Sequence, residues 1–147
     1  MTLMLLVEDN ESDEKLALMA MKKAEVSAEI VVARDGQEAL DYLFGVGASA
    51  DGPVRRLPAV TLLDLNLPKI GGLEVLRRMR ADERTRRLPV VVLTTSQEQE
   101  DIVRACDLGA NAFVTKPVGF AEFVRTINAV LVFWLAVNRA PGPPRLP

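Results

Sequence analysis

Short apolar runs alternate with amphipathic segments along most of the chain. Five short, mainly apolar runs predict strands at 3–7, 29–33, 59–63, 89–93 and 112–115. The run at 3–7 is apolar throughout, as in a parallel strand that is covered on both faces. Five segments repeat apolar residues at helical spacing and predict helices at 14–25, 37–44, 73–81, 97–108 and 120–137. This alternation predicts an α/β fold with a five-stranded parallel sheet and helices on both faces.

Helix signals and breakers set the boundaries of these elements. Asn10 and Ser12 are both suitable N-caps for the first helix, and acidic residues follow them. Glycine, proline and small polar residues predict a loop at 45–58. Prolines in 138–147 cannot continue the last helix. We therefore expect one domain over 1–137 and a proline-rich tail over 138–147.

The last predicted helix carries more apolar surface than packing on a sheet requires. One stripe at helical spacing can cover the sheet, formed by Phe120, Phe123, Val124, Ile127, Leu131 and Trp134. The run from Val130 to Val137 is nevertheless apolar without interruption, and such a patch usually marks an interface. We expect Val130, Phe133 and Val137 to form a two-fold symmetric homodimer contact. The alternative is that the tail folds back over them.

Composition excludes several kinds of chemistry. The 147 residues include no histidine and one cysteine, which excludes Ser-His-Asp and Cys-His catalysis, histidine-ligated metals and internal disulfides. Lys plus Arg is 18 and Asp plus Glu is 20, giving a net charge of -2, so clustered positive charge for nucleic acid is not expected. The chemistry that remains possible is that of carboxylates, hydroxyls, lysines and hard metal ions.

The sequence gives no sign of export or of a membrane span. The N-terminal apolar run is short and ends in two acidic residues, unlike a signal peptide. The apolar run 129–137 is shorter than the ~20 residues of a spanning helix. We therefore expect a cytoplasmic protein that binds neither membrane nor nucleic acid.

Polar residues follow four of the predicted strands. Glu8 and Asp9 end the first, Asp64 the third, Thr94 the fourth and Lys116 the fifth. The carboxyl ends of parallel strands meet at one rim, where ligands bind. Clustered carboxylates repel one another, and a divalent cation such as Mg²⁺ relieves this. A carboxylate can also accept a phosphoryl group, and a metal ion and a lysine can neutralise the charge of that reaction.

Four segments resemble the receiver domain of two-component response regulators. They are LLVEDN at 5–10, LDLNLPKIGG at 63–72, LT at 93–94 and TKP at 115–117. The resemblance covers about 3–130, and the spacings between Asp64, Thr94 and Lys116 match those of the family. It implies the flavodoxin-like (βα)5 fold and a phosphorelay function rather than an enzyme activity.

The resemblance also implies a role for each matching residue. Asp64 would accept the phosphoryl group, and Glu8 and Asp9 would hold Mg²⁺ or Mn²⁺ together with Asp64 and the backbone carbonyl of Asn66. Thr94 would be the switch hydroxyl, and Lys116 the conserved lysine.

Three further positions carry family expectations. Phe113 matches the aromatic switch position, where it lacks the hydroxyl of the common tyrosine. The bond from Lys116 to Pro117 is expected to be cis. Asn66 and Ser96 match the two variable positions that tune dephosphorylation.

Two features of the sequence indicate a particular subfamily of response regulators. The long loop 45–58 and the ending VFWL at 132–135 resemble single-domain regulators that partner phytochrome-type histidine kinases. These regulators commonly dimerise through this end.

Two alternative functions remain open. The enzyme alternative is a haloacid dehalogenase-like phosphohydrolase, but Asp64-Leu65-Asn66 lacks the second carboxylate of its Asp-x-Asp motif. The third possibility is a degenerate receiver that acts as a scaffold, against which the retained acidic, threonine and lysine residues argue. The downstream target is not specified.

Overall fold

The computed structural model describes residues 2–45 and 56–141. Most of the predicted loop 45–58 and of the predicted tail 138–147 lies outside these residues. The strands are β1 (Leu3–Val7), β2 (Glu29–Ala33), β3 (Val60–Leu63), β4 (Val90–Thr94) and β5 (Ala112–Thr115). The helices are α1 (Glu11–Lys23), α2 (Gly36–Phe44), α3 (Gly72–Ala81), α4 (Gln99–Asp107) and α5 (Phe120–Leu131), and a π-helical segment (Val132–Val137) continues α5.

All five strands form one parallel sheet in the order β2-β1-β3-β4-β5. The three central strands are buried along their whole length, whereas β2 and β5 at the edges are partly exposed. The predicted five-stranded, flavodoxin-like α/β fold is confirmed. In this order the chain leaves β1 and β3 toward opposite edges, which opens a crevice between their carboxyl ends.

The sheet separates two apolar cores. Alternate residues of β1 point to opposite faces, so Met4 and Leu6 pack with α1 and α5, and Leu5 and Val7 pack with α2 and α3. At the carboxyl end of α1, the backbone N–H of Glu25 donates a hydrogen bond of 2.9 Å to the Asn128 side chain of α5. The register of the parallel pairs, rather than this helix contact, sets the rim at which the strands end.

Helix α1 begins at Glu11, three residues before the predicted start. The Asn10 side chain accepts a hydrogen bond of 3.0 Å from the backbone N–H of Asp13, so Asn10 is the N-cap. Acidic residues in the first turn are favourable near the positive end of the helix dipole. The earlier start places Asp13 inside the helix, directly beside the ends of the strands.

The C-terminal helix follows the predicted extent but differs in which residues it buries. Val130 is buried in the core with Phe123 and Ile127, so its predicted position off the core stripe is wrong. It lies three residues after Ile127 and seven after Phe123, which is the same helical face. Phe120 was expected in the core but is exposed, with the Lys23 ammonium 5.3 Å from its ring centre.

Beyond Leu131 the helix widens into π-helical turns. The N–H of Asn138 bonds to the carbonyl of Phe133, five residues earlier, at 2.6 Å. Phe133 and Val137 are exposed here, while Trp134 and Leu135 pack against the core. By length and composition, the helix Phe120–Val137 could cross a membrane. One face of this helix, with Phe123, Ile127 and Leu131, is buried in the apolar core.

Gly72 allows α3 to start in contact with the end of β3. A Cβ atom at this position would lie 2.2 Å from the backbone oxygen of Asp64 and 2.7 Å from the Cα of Leu65. Real side chains do not tolerate such distances to backbone atoms. Because Gly72 has no side chain, α3 can begin in contact with the backbone of Asp64 and Leu65, directly after β3.

We predict that Gly72→Ala destabilises the protein by about 2 kcal/mol or more, because the backbone around Asp64 must move to accept the methyl group. The matched control is Gly119→Ala. No atom lies within 4 Å of a Cβ at Gly119, so this change should alter stability by less than about 1 kcal/mol. Urea unfolding measures both variants. Equal stability of the two would contradict the steric argument.

Candidate functional site

The functional residues lie where the central strands end, at the crevice between β1 and β3. Glu8 and Asp9 follow β1, and the N–H of Glu8 donates to the carbonyl of Ala33 at 3.0 Å. Asp64 follows β3, and its N–H donates to the carbonyl of Val7 at 3.1 Å. These backbone bonds continue the strand pairing by one residue. Glu8 and Asp64 are therefore held as firmly as residues of the sheet itself.

The Lys116 ammonium joins three carboxylates at this crevice. Its Nζ lies 2.6 Å from Glu8 Oε2, 2.9 Å from Asp13 Oδ2 and 3.0 Å from Asp64 Oδ2. The side chains of Lys116, Glu8 and Asp64 are all buried. The Lys116 N–H also donates to the carbonyl of Thr94 at 2.8 Å, which fixes the end of β5 against β4. The predicted Glu8, Asp64 and Lys116 thus form one hydrogen-bonded cluster.

Burial and charge shift the pKa values of this cluster. Burial, opposed by the hydrogen bond from Lys116 and assisted by the neighbouring Asp64, raises the pKa of Glu8 to about 7. Burial alone would lower the pKa of the Lys116 ammonium, but its hydrogen bonds to Glu8, Asp13 and Asp64 outweigh this and raise the pKa. Lys116 is therefore charged at neutral pH, whereas Glu8 is partly protonated.

The three predicted metal-ligating carboxylates lie together. One oxygen each of Glu8, Asp9 and Asp64 can be chosen so that all lie within 4.8 Å of one another. Glu8 and Asp64 also accept backbone N–H bonds of 3.1 Å from Asn10 and Asn66 respectively. Asp9 is exposed and opens the cluster to solvent. An all-oxygen donor set with an open side is what Mg²⁺ or Mn²⁺ requires.

Thr94 lies at the end of β4 and is connected to α4. Its fully buried hydroxyl oxygen accepts a bond of 3.3 Å from the N–H of Ser96. The Ser96 hydroxyl donates to Asp101 of α4 at 2.6 Å. A change at Thr94 can therefore reach α4 through two hydrogen bonds.

Phe113 lies on β5 beside this connection. Its partly buried ring packs with Leu65 and Val92 and with Ala105 of α4. None of the described peptide bonds is cis, so Lys116–Pro117 is trans and the expectation of a cis bond is wrong. The two isomers of an X–Pro bond differ by only about 0.5–1 kcal/mol, so residue types alone do not decide between them.

Asp13 is the site residue that the sequence did not reveal. It belongs to α1, and its carboxylate binds the Lys116 ammonium beside Glu8 and Asp64. The predicted helix started after it, which left it among the polar residues of a loop. Asp13 could have been identified from the sequence by its position three residues after the candidate cap Asn10, in the first helical turn.

A five-stranded parallel sheet with an acidic cluster and a lysine at its carboxyl rim defines a receiver of phosphorelay signalling. The family description "Response regulator receiver domain" matches residues 4–128, and the chain belongs to this family. The protein is therefore a response regulator, a signalling protein of two-component systems. Neither the site nor the similarities to known proteins support the phosphohydrolase alternative.

Relatives of known name cover nearly the whole chain. It is 42% identical over 141 residues to the probable methanogenesis regulatory protein FilR2 of Methanothrix harundinacea, covering 96% of this chain and 88% of FilR2. It is 34% identical over 138 residues to the response regulator Rcp1 of Synechocystis, covering 94% of this chain and 92% of Rcp1.

Two solved structures share this architecture closely. The phosphorylated cyanobacterial phytochrome response regulator RcpA matches with a TM-score of 0.87 and 38% identity, over 96% of this chain and 99% of RcpA. The Mn²⁺-bound form of Rcp1 matches with a TM-score of 0.86 and 34% identity, over 97% of this chain and all of that structure. This protein is thus similar to phytochrome-associated response regulators in sequence and in fold, and the similarity extends over nearly the whole chain.

The raised pKa of Glu8 predicts a pH-dependent stability in the absence of divalent ions. Its contribution is fully present below the unfolded value of 4.5 and is lost as pH rises through about 7. The loss amounts to at most about 3 kcal/mol. Urea unfolding in EDTA from about pH 4.5 to 8 should show the wild type losing stability relative to Glu8→Gln as pH rises, because the amide resembles the protonated carboxyl and does not titrate. A difference that does not vary with pH would contradict the assignment.

Proposed function

We propose that Asp64 accepts a phosphoryl group from the phosphohistidine of a histidine kinase. The observation that carries this is the Asp64 carboxylate, buried at the end of β3 and held 3.0 Å from the Lys116 ammonium. A carboxylate oxygen of Asp64 attacks phosphorus, the phosphorus–nitrogen bond breaks, and the imidazole leaves and takes up a proton. Lys116 balances the negative charge of the transferred group.

The same site is proposed to bind Mg²⁺ or Mn²⁺. Glu8, Asp9 and Asp64 supply carboxylate oxygens, and the backbone carbonyl of Asn66 is the fourth proposed ligand. When bound, the ion supplies charge neutralisation for the carboxylates and the phosphoryl oxygens. The Mn²⁺-bound form of the relative Rcp1 supports a divalent ion here.

The proposed response to phosphorylation is a rearrangement around Thr94. The new dianion offers acceptors to the Thr94 hydroxyl and to Lys116. Movement of Thr94 would loosen its bond with Ser96, and Phe113 can fill the vacated space. Because Ser96 is bound to Asp101, the surface of α4, β5 and α5 is the proposed output. That surface would bind an as yet unidentified downstream protein.

The proposed partner is a phytochrome-type histidine kinase, with the protein acting in the cytoplasm. The support is the similarity to RcpA and Rcp1, the first of which is described as a phytochrome response regulator. No nucleic acid or membrane is proposed as a partner. Residues 1–137 would form the receiver domain, and 138–147 a proline-rich tail.

A homodimer through the C-terminal segment is also proposed. Phe133 is 48% exposed and Val137 is 61% exposed, and the Phe133 ring packs edge to face on Trp134, with centres 5.0 Å apart. These apolar groups fall on the side of the segment away from the core. Val130, buried in the monomer, no longer belongs to the proposed contact.

We predict that Asp64→Asn folds but accepts no phosphate from acetyl phosphate and Mg²⁺, because the amide is not a nucleophile. The matched control, Asp107→Asn, changes an exposed aspartate of α4 and should be labelled like the wild type. Intact-protein mass spectrometry measures the label. Labelling of Asp64→Asn would exclude Asp64 as the acceptor, and full labelling of the wild type in excess EDTA would exclude the metal requirement.

We predict that Phe133→Glu yields a folded monomer that still accepts phosphate, because a buried unpaired charge disrupts an apolar contact. Phe120→Glu is the control, since Phe120 is an equally large exposed aromatic residue at the other end of the helix. It should leave the dimer intact. Light scattering at tens of micromolar decides, and a monomeric wild type would disprove the dimer.

A further inference from the structure

All three donors of the Lys116 ammonium are occupied by carboxylates. They bond to Glu8 at 2.6 Å, to Asp13 at 2.9 Å and to Asp64 at 3.0 Å. An ammonium has three N–H groups and no more. A phosphoryl oxygen on Asp64 can therefore bond to Lys116 only if one of these three partners gives up its position.

The three carboxylates differ in how readily they can leave. The side chains of Glu8 and Asp64 are 4% and 8% exposed, whereas that of Asp13 is 32% exposed. A buried carboxylate that loses its cation remains uncompensated at high cost. One that is a third exposed regains water when it leaves, so its ion pair is weaker and its loss less costly. Of the three, Asp13 is therefore the partner whose departure costs least.

Asp13 is also distinct from the metal cluster. The carboxylates whose oxygens gather within 4.8 Å are those of Glu8, Asp9 and Asp64, and Asp13 is not among them. Asp13 approaches the site from the first turn of α1, where Asn10 caps its backbone N–H. Its contact with the site runs through the ammonium of Lys116.

We infer that Asp13 is a positioning residue that holds Lys116 in the unphosphorylated protein and releases it to a phosphoryl oxygen on Asp64. The inference rests on the proposed function of Asp64. The phosphoryl group must compete with Asp13 for the same N–H. Asp13 therefore weakens the binding of a phosphoryl group, or of a mimic of it, at Asp64. The exchange also frees a carboxylate on α1 whenever Asp64 carries phosphate.

The test uses beryllofluoride, which mimics a phosphoryl group on a carboxylate, with the full chain at saturating Mg²⁺. Fluorine NMR titration gives its affinity, and calorimetry gives the Mg²⁺ affinity without beryllofluoride. Asp13→Asn keeps the shape of the side chain but weakens the bond to Lys116, so beryllofluoride should bind roughly fivefold tighter. The Mg²⁺ affinity should change by less than about twofold, since Asp13 lies outside the metal cluster.

Two variants separate positioning from charge. Glu11→Gln removes one negative charge from the same helical turn, at a side chain that is 81% exposed and paired with Lys15. Its effect on both affinities should stay within about twofold. Asp13→Glu restores a carboxylate on a longer side chain and should return the beryllofluoride affinity toward the wild-type value.

The outcomes distinguish this inference from the proposed function. If Asp13→Asn and Glu11→Gln shift the beryllofluoride affinity equally, or if Asp13→Asn weakens it, Asp13 does not compete and the inference is wrong. The same holds if Asp13→Asn weakens Mg²⁺ binding severalfold, which would make Asp13 a metal ligand. A wild type that binds no beryllofluoride would instead overturn the proposed function, and the inference with it.

Discussion

The site depends on one buried ammonium group that carboxylates from three elements share. Lys116 extends from the end of β5 and meets Glu8 after β1, Asp64 after β3 and Asp13 in α1. Without this cation, carboxylates brought together by the parallel sheet would repel one another in a poorly hydrated crevice. The convergence of the strand ends makes this cation necessary. It also directs an N–H group of Lys116 at Asp64, which follows β3.

This arrangement leaves the site with more negative than positive charge, which is the basis of its chemistry. Burial raises the pKa of Glu8, the hydrogen bond from Lys116 only partly opposes this, and the neighbouring Asp64 carboxylate adds to it. A divalent cation at the exposed side of Asp9 would complete the compensation, and a phosphoryl group would then find positive charge on both sides. A site with this charge balance would accommodate a cation and an anion together.

The backbone around the site connects this charge balance to the surface. Lys116 is bonded through its N–H to the end of β4, and Thr94 is bonded to Ser96, which is bonded to Asp101 of α4. Under the proposed mechanism, a new acceptor at the crevice would reach α4 through these hydrogen bonds.

The sequence by itself determined the fold and most of the site. Continuous apolar runs mark buried parallel strands, and because such strands end at one rim, the residues after them had to converge, as Glu8, Asp64 and Lys116 do. Only the tertiary structure decided contacts between elements distant along the chain. It placed Asp13 against Lys116, across 103 positions, and buried Val130 while leaving Phe120 exposed. Periodicity specifies which residues share a face, but the position of a helix against its neighbours specifies which of them meet another side chain and which meet water.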